Sequence, residues 1–195
     1  MNNAAADWFY HLGASALDDA RIALLALLLI AAAVIDFRTF RIPNWLTAGG
    51  LVIGLALNTA GSIRALDGLL WALGGAAVGL GILLPLYLLR VMGAGDVKLM
   101  AMVGAFLGLS QIMPALLFVF VTGGIAAMVF AFANKRLARL AANLRNIVQG
   151  VAFSVLAGQP IPGMAPGASI GKLPYGVSIS AGTIVYLATR QFGFL

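Results

Sequence analysis

The chain has 195 residues, 62% hydrophobic and 9% charged, with a net charge of +6 and a mean hydropathy of +1.03. A soluble domain carries about 25% charged residues, so this composition puts the chain in a lipid bilayer. Six aspartates, no glutamate, one histidine and no cysteine exclude a thiol nucleophile, a zinc ribbon, a disulfide framework and an HExxH metalloprotease helix.

In chain order, residues 1–20 read as a polar tail carrying Asp7, His11, Asp18 and Asp19. The acidic flank argues against a cleaved signal peptide and against a cytoplasmic location for this end. A Ser–His intramembrane protease needs a histidine at membrane depth, and His11 lies in the tail instead. The first apolar run is Ile22 to Ile35, followed by "DFRTFRIPN" (36–44), where Pro43 disfavours helix at Ile42. Further spans are expected over 45–60, 66–89, 97–109, 112–133 and 173–190, with "LSQIMP" as a tight connection between the fourth and fifth. Over 134–156, Leu137, Leu140, Leu144, Ile147 or Val148, Val151 and Val155 recur at helical spacing, with Lys135, Arg136, Arg139 and Arg145 on the other face. An amphipathic helix on the cytoplasmic membrane surface fits this pattern, as does an ordinary basic loop. "GQPIPGMAPGASIGK" (158–172) is a Pro- and Gly-rich loop, either a linker or a lid.

The bases set the topology. Arg38, Arg41, Arg90, Lys98, Lys135, Arg136, Arg139, Arg145 and Lys172 fall near alternate loops on one side, and Arg21, Arg64 and Arg190 on the other. The positive-inside rule puts the first group in the cytoplasm and both termini outside. The basic balance then belongs to membrane-facing loops rather than to a nucleic-acid surface. The expected fold is all-α: a polytopic membrane bundle of about six transmembrane helices. It forms a single domain over 21–195, with a cytoplasmic loop at 134–172. Gly50/Gly54, Gly75/Gly79 and Gly104/Gly108 have the four-residue spacing that lets membrane helices approach closely.

This topology sorts the aspartates. Asp67 lies near Arg64 at the outer start of the third span, where a helix-start role suffices. Asp36 ends the first span and Asp96 begins the fourth, both at the cytoplasmic edge. A charge at the centre of a span costs about 2.5–3.5 kcal/mol, so such residues face a bundle interior or water. Asp96 as an N-cap, and Asp36 paired with Arg38 or Arg41, are the plain alternatives. Together the two carboxyls suit an aspartyl dyad: one stays protonated and polarises a scissile carbonyl, and the other draws a proton from the attacking water. Helix termini bias Asp96 toward base and Asp36 toward acid, because an anion is favoured at a helix N-terminus. Gly93 and Gly95 offer conformations closed to other residues and room for a substrate backbone. Lys98 either orients a carboxylate or snorkels to the headgroups.

These residues resemble a known family. "GAGDVKL" (93–99) is similar to the GxGD motif of intramembrane aspartyl proteases, in the GxGDxKL form of the type IV prepilin peptidases. "DFRTFRIPNWLT" (36–47) resembles their first-aspartate segment, and "LPYGVSISAG" (173–182) their PYG segment. The resemblance implies a multi-pass protein of the bacterial inner membrane that cleaves prepilin leaders at the cytoplasmic face, with no cofactor. Its partners would be prepilin signal peptides, the bilayer and the pilus assembly machinery. It assigns catalysis to Asp36 and Asp96, and motif support to Gly93, Gly95, Lys98, Arg41, Pro43, Asn44, Pro174, Tyr175 and Gly176. Long members carry a cytoplasmic domain between the first two spans and also N-methylate the product. Here that stretch is only "FRTFRIPN", which puts methyl transfer in doubt. The short form resembles the TadV/CpaA branch, which processes Flp-type pilins. The presenilin-like proteases match less well, because Ile35 rather than tyrosine precedes Asp36. Two non-enzymatic alternatives remain: a small transporter with Asp36 and Asp96 as proton-coupling carboxyls, and a membrane subunit of a secretion machine.

Overall fold

The structure is a computed structural model of the chain. It describes residues 4–133 and 174–193, with scattered positions between them (135, 141–142, 145–146, 148–150 and 156); for residues 4–16 it describes the backbone alone. The expected amphipathic helix over 134–156 and the loop over 158–172 fall mostly outside the described residues.

Five helical runs follow one another: α1 (Ala4–Thr39), α2 (Asn44–Gly61), α3 (Ala65–Leu88), α4 (Ala94–Ala133) and α5 (Tyr175–Gln191). Among the described residues there is no strand. Leu17–Thr39, Ala65–Leu88 and Ala94–Ala133 are long and apolar enough to cross a membrane. The bounds of α2, α3 and α5 lie within two residues of the expected spans. The first helix is longer than its apolar run, because Ala4–Ala6, Ala14, Ala16 and Ala20 in the polar tail are strong helix formers.

The fourth and fifth spans differ from expectation. They form one run, α4, broken at Gly108, whose φ of 74° is left-handed. The break lies ahead of "LSQIMP", and those six residues are helical. Contacts show the two arms running in opposite directions. Asp96 lies within electrostatic reach of Tyr175 at the start of α5. Just past the break, Gln111 bonds Arg190 at the far end of α5 (2.6 Å). Farther along the second arm, Thr122 Oγ1 donates to the Ser178 carbonyl (3.1 Å), back near the start of α5. The two arms of α4 therefore count as two antiparallel helices, six in all among the described residues.

Only glycine suits position 108, since a Cβ there would fall on the Trp71 indole nitrogen. The carbonyls of the turn before the break need donors from elsewhere. Asn58 Nδ2 supplies them, donating to the carbonyls of Ala105 (2.7 Å) and Phe106 (3.2 Å). Arg21, paired with Asp18 (3.0 Å), donates to Asn58 Oδ1 in turn.

The first arm of α4 is the axis of the bundle. Every residue from Leu99 to Gly108 is buried, as expected of a helix apolar on all sides. The spaced glycines serve this axis. A Cβ on Gly75 would meet the Gly104 carbonyl oxygen, and a Cβ on Gly104 the Gly75 carbonyl oxygen, so α3 and α4 touch backbone to backbone. Gly79 faces Met100, while Gly50 and Gly54 receive the Met102 and Phe106 side chains from α4. Such contact is how helices associate where lipid removes the hydrophobic drive.

The described bases sort to two ends. Arg21 and Arg190 lie close together at one, and Lys98, bonded to Asn44, lies at the other with Asp36 and Asp96.

Gly104→Val would force α3 and α4 apart along their closest line. Its expected cost is about 1–3 kcal/mol, read as a lower thermal-unfolding midpoint in detergent, whereas Gly81→Val, at a position open to the surroundings, should leave the midpoint close to the parent's.

Candidate functional site

Three helix ends meet at the end of the bundle that holds Asp36 and Asp96. The first is the C-terminal turn of α1, which carries Asp36. The second is the start of α4, which carries Asp96. The third is the start of α5, "PYG" (174–176). The first two are joined in sequence by α2 and α3, which run away from this end and return to it. The third arrives from far along the chain.

Asp36 is 4% exposed. Its Oδ2 accepts the Gly176 N–H at 2.8 Å, and the Val177 N–H also reaches the carboxyl. These are first-turn N–H groups of α5, where a helix leaves backbone donors available to outside acceptors. Pro174 opens that helix as its N-cap residue, and its carbonyl accepts the Val177 N–H at 3.2 Å. Gly176 has no space for a side chain, since a Cβ there would lie 2.8 Å from Asp36 Oδ2 and 2.7 Å from Ile42 Cδ1.

Asp96 is 7% exposed. The Gly93 N–H donates to its Oδ2 at 2.9 Å, and the Asp96 N–H donates to the Gly93 carbonyl at 3.2 Å. This is the back-reaching half of a capping box, in which the third helical residue satisfies the N–H of the cap residue. The plain N-cap alternative was therefore partly right: Asp96 does cap α4, from inside its first turn. Among the described residues Asp96 Oδ1 makes no hydrogen bond, so one oxygen is held and the other is available. Asp36 acts electrostatically on Asp96, and Asp96 on the Tyr175 phenol, so the three groups share one neighbourhood.

The expected site residues do not all converge. Gly93 and Gly95 are not left-handed, because the only described glycines with positive φ are Gly108 and Gly193. Conformational freedom is not what they supply. Gly95 supplies proximity instead, since a Cβ there would lie 3.2 Å from the Ile42 Cβ. Lys98 does not bond a carboxylate; its Nζ donates to Asn44 Oδ1 at 2.8 Å, tying α4 to the start of α2. Pro43 is the N-cap residue of α2. Arg41 is exposed, with its carbonyl accepting from Thr39 Oγ1 at 3.0 Å. Asp36 pairs with neither Arg38 nor Arg41, the one ion pair among the described residues being Arg21–Asp18. Asp67 is exposed in the first turn of α3, as the plain reading has it.

The helix-terminus argument for the two roles loses its basis in the structure. Asp36 ends one helix but faces the first N–H groups of another, so both carboxyls sit at helix N-termini and that argument no longer distinguishes them. Sequence reasoning missed Ile42, which touches both Gly95 and Gly176. It also missed Ser180, one turn beyond Gly176, whose buried hydroxyl has no hydrogen-bond partner among the described residues. The signals for Ile42 were its place in the first-aspartate segment "DFRTFRIPN" and its position before Pro43 among polar and aromatic residues.

A prepilin leader peptidase/N-methyltransferase of Legionella pneumophila is 36% identical to the chain over 119 residues, 58% of this chain and 42% of that relative. The chain thus spans less than half the length of the curated relative it matches. No solved structure matches it. The model of the type IV leader peptidase family matches residues 23–128, from within α1 into the second arm of α4, and so includes both Asp36 and Asp96. The chain is a helical membrane protein that belongs to the type IV leader peptidase family.

Proposed function

We propose that this protein is a membrane aspartyl endopeptidase that removes the leader of type IV prepilins, with Asp36 and Asp96 as its two catalytic carboxyls. The observation that carries the proposal is the pairing of two buried carboxyls, each held through one oxygen by a backbone N–H at a helix N-terminus and each within electrostatic reach of the other. Two carboxyls within electrostatic reach of one another divide protonation between them. The protonated one donates a hydrogen bond to the scissile carbonyl. The ionised one takes a proton from water, whose oxygen forms the new bond to the carbonyl carbon. The C–N bond then breaks, and the leaving amine takes up a proton from the carboxyl pair. Among the described residues the free Oδ1 of Asp96 suits contact with that water. The fixed N–H partners keep both carboxyls in place, so little reorganisation is needed in the reaction.

The same proposal extends to the setting. The site end of the bundle carries Lys98, Arg38, Arg41 and Arg90, consistent with the cytoplasmic face of an inner membrane and with both termini outside. Residues 21–195 would form one protease domain, with 134–172 as its cytoplasmic loop. The short α1–α2 connection favours Flp-type pilins, as in the TadV/CpaA branch, and a place beside the pilus assembly machinery. Methyl transfer is not part of the proposal, because only residues 40–43 separate α1 from α2.

Co-expression with a prepilin is expected to yield a leader-shortened product, resolved by mass spectrometry. Asp36→Asn and Asp96→Asn should each lower cleavage by about a thousandfold or more, as loss of one member of a reacting unit does. Robust cleavage by either variant rejects the dyad. Gly176→Ala should lower kcat by about a hundredfold through displacement of the Asp36 carboxyl. Purified yield and helix content by circular dichroism should stay near the parent's.

A further inference from the structure

The segment joining α1 to α2 has one buried residue. Phe37, Arg38, Thr39, Phe40 and Arg41 are exposed, as are Asn44 and Trp45, yet Ile42 is only 9% exposed. The chain is bent to turn it inward. Phe40 adopts φ 52°, a left-handed conformation that a bulky side chain rarely takes. The Phe40 N–H closes α1 on the Asp36 carbonyl at 2.8 Å. The Thr39 hydroxyl lies between the carbonyls of Ile35 (2.8 Å) and Arg41 (3.0 Å). Pro43 then fixes the exit into α2. A strained turn on one side and a proline on the other leave Ile42 little freedom. Strain of this kind collects where the surroundings over-determine a functional geometry.

What Ile42 meets inside is specific. Its Cβ lies 3.2 Å from where a Gly95 Cβ would be, and its Cδ1 lies 2.7 Å from where a Gly176 Cβ would be. Gly95 immediately precedes Asp96, and Gly176 donates the N–H that holds Asp36. The side chain is therefore pinched between the two helix starts that carry or hold the carboxyls. Isoleucine suits the position because branching at Cβ restricts χ1, which limits the directions its Cδ1 arm can take.

We infer that Ile42 is a positioning residue, a wedge whose volume sets the separation of Asp36 and Asp96. The inference rests on the dyad proposed above. The titratable groups around the wedge are Asp36 from α1, Asp96 from α4 and Tyr175 from α5. Lys98 is engaged with Asn44, and Arg38 and Arg41 are exposed.

The test is the pH–rate profile of prepilin cleavage by the full chain in detergent–lipid micelles, for the parent, Ile42→Val and Ile42→Ala. The two limbs of such a profile report the coupled pair, and their separation follows the distance between the carboxyls. Ile42→Ala should move the limbs relative to one another and lower kcat about tenfold or more. Ile42→Val keeps the branch toward Gly95 and loses only the Cδ1 arm, so its limbs should fall between those of the parent and Ile42→Ala. A merely structural role would reduce the yield of folded protein and leave the shape of the profile alone. Limbs that superimpose on the parent's in both variants overturn the inference while the dyad stands, provided Asp36→Asn and Asp96→Asn are inactive. Full cleavage by those aspartate variants overturns the dyad, and the wedge with it.

Discussion

A carboxyl buried in an almost wholly apolar bundle needs hydrogen-bond donors, and Asp36 takes its donor from a residue 140 positions further along the chain. That bond between α1 and α5 sets much else. It brings the "PYG" turn to the end of the bundle that holds Asp96. It requires glycine at 176, because a side chain there would occupy the space of the carboxyl. It also changes the electrostatic setting of Asp36, from the tail of one helix to the head of another. Asp96 reaches a matching arrangement locally, through the Gly93 N–H. Two carboxyls held in the same manner, one by distant chain and one by near chain, share a single end of the molecule.

The rest of the bundle keeps those ends in register. The first arm of α4 begins at the site and runs buried to Gly108. Its neighbours fit against it through Gly50, Gly54, Gly75 and Gly79, so the axis is gripped by backbone and by close-fitting side chains. At the far end, Gly108 breaks the helix, and Asn58 supplies donors to the carbonyls of the last turn. The returning arm packs along α5, with Phe118 against Tyr186 at a ring separation of 5.8 Å and Gln111 bonded to Arg190. A polar network at one end of α5 and the Asp36–Gly176 bond at the other thus fix its position along the bundle.

Much of this was legible in the sequence. The apolar runs marked six helices because lipid leaves a backbone few alternatives to helix. The four-residue glycine spacing marked the helix contacts, and the bases separated the two ends. The motifs "GAGDVKL" and "DFRTFRIPN" marked both aspartates. What stayed hidden depends on three-dimensional contact. A glycine required by a left-handed φ, as at 108, looks the same in sequence as one required by proximity, as at 95. The donor for Asp36 is a backbone N–H, and such groups leave no trace in residue identity. Lys98 beside Asp96 in sequence suggested a partner for a carboxylate, but helical geometry turns it toward Asn44. Ile42 was visible as part of the "DFRTFRIPN" segment, but its role depends on the neighbours it meets.

The central claim is that Asp36 and Asp96 form one site. The most direct measurement is an infrared titration of the carboxyl stretch on the full chain in lipid, comparing the parent with Asp36→Asn. The account predicts that removing one carboxyl shifts the midpoint at which Asp96 titrates, because a coupled partner has been lost. An Asp96 titration that superimposes on the parent's would mean that the two carboxyls do not interact, and would contradict the account.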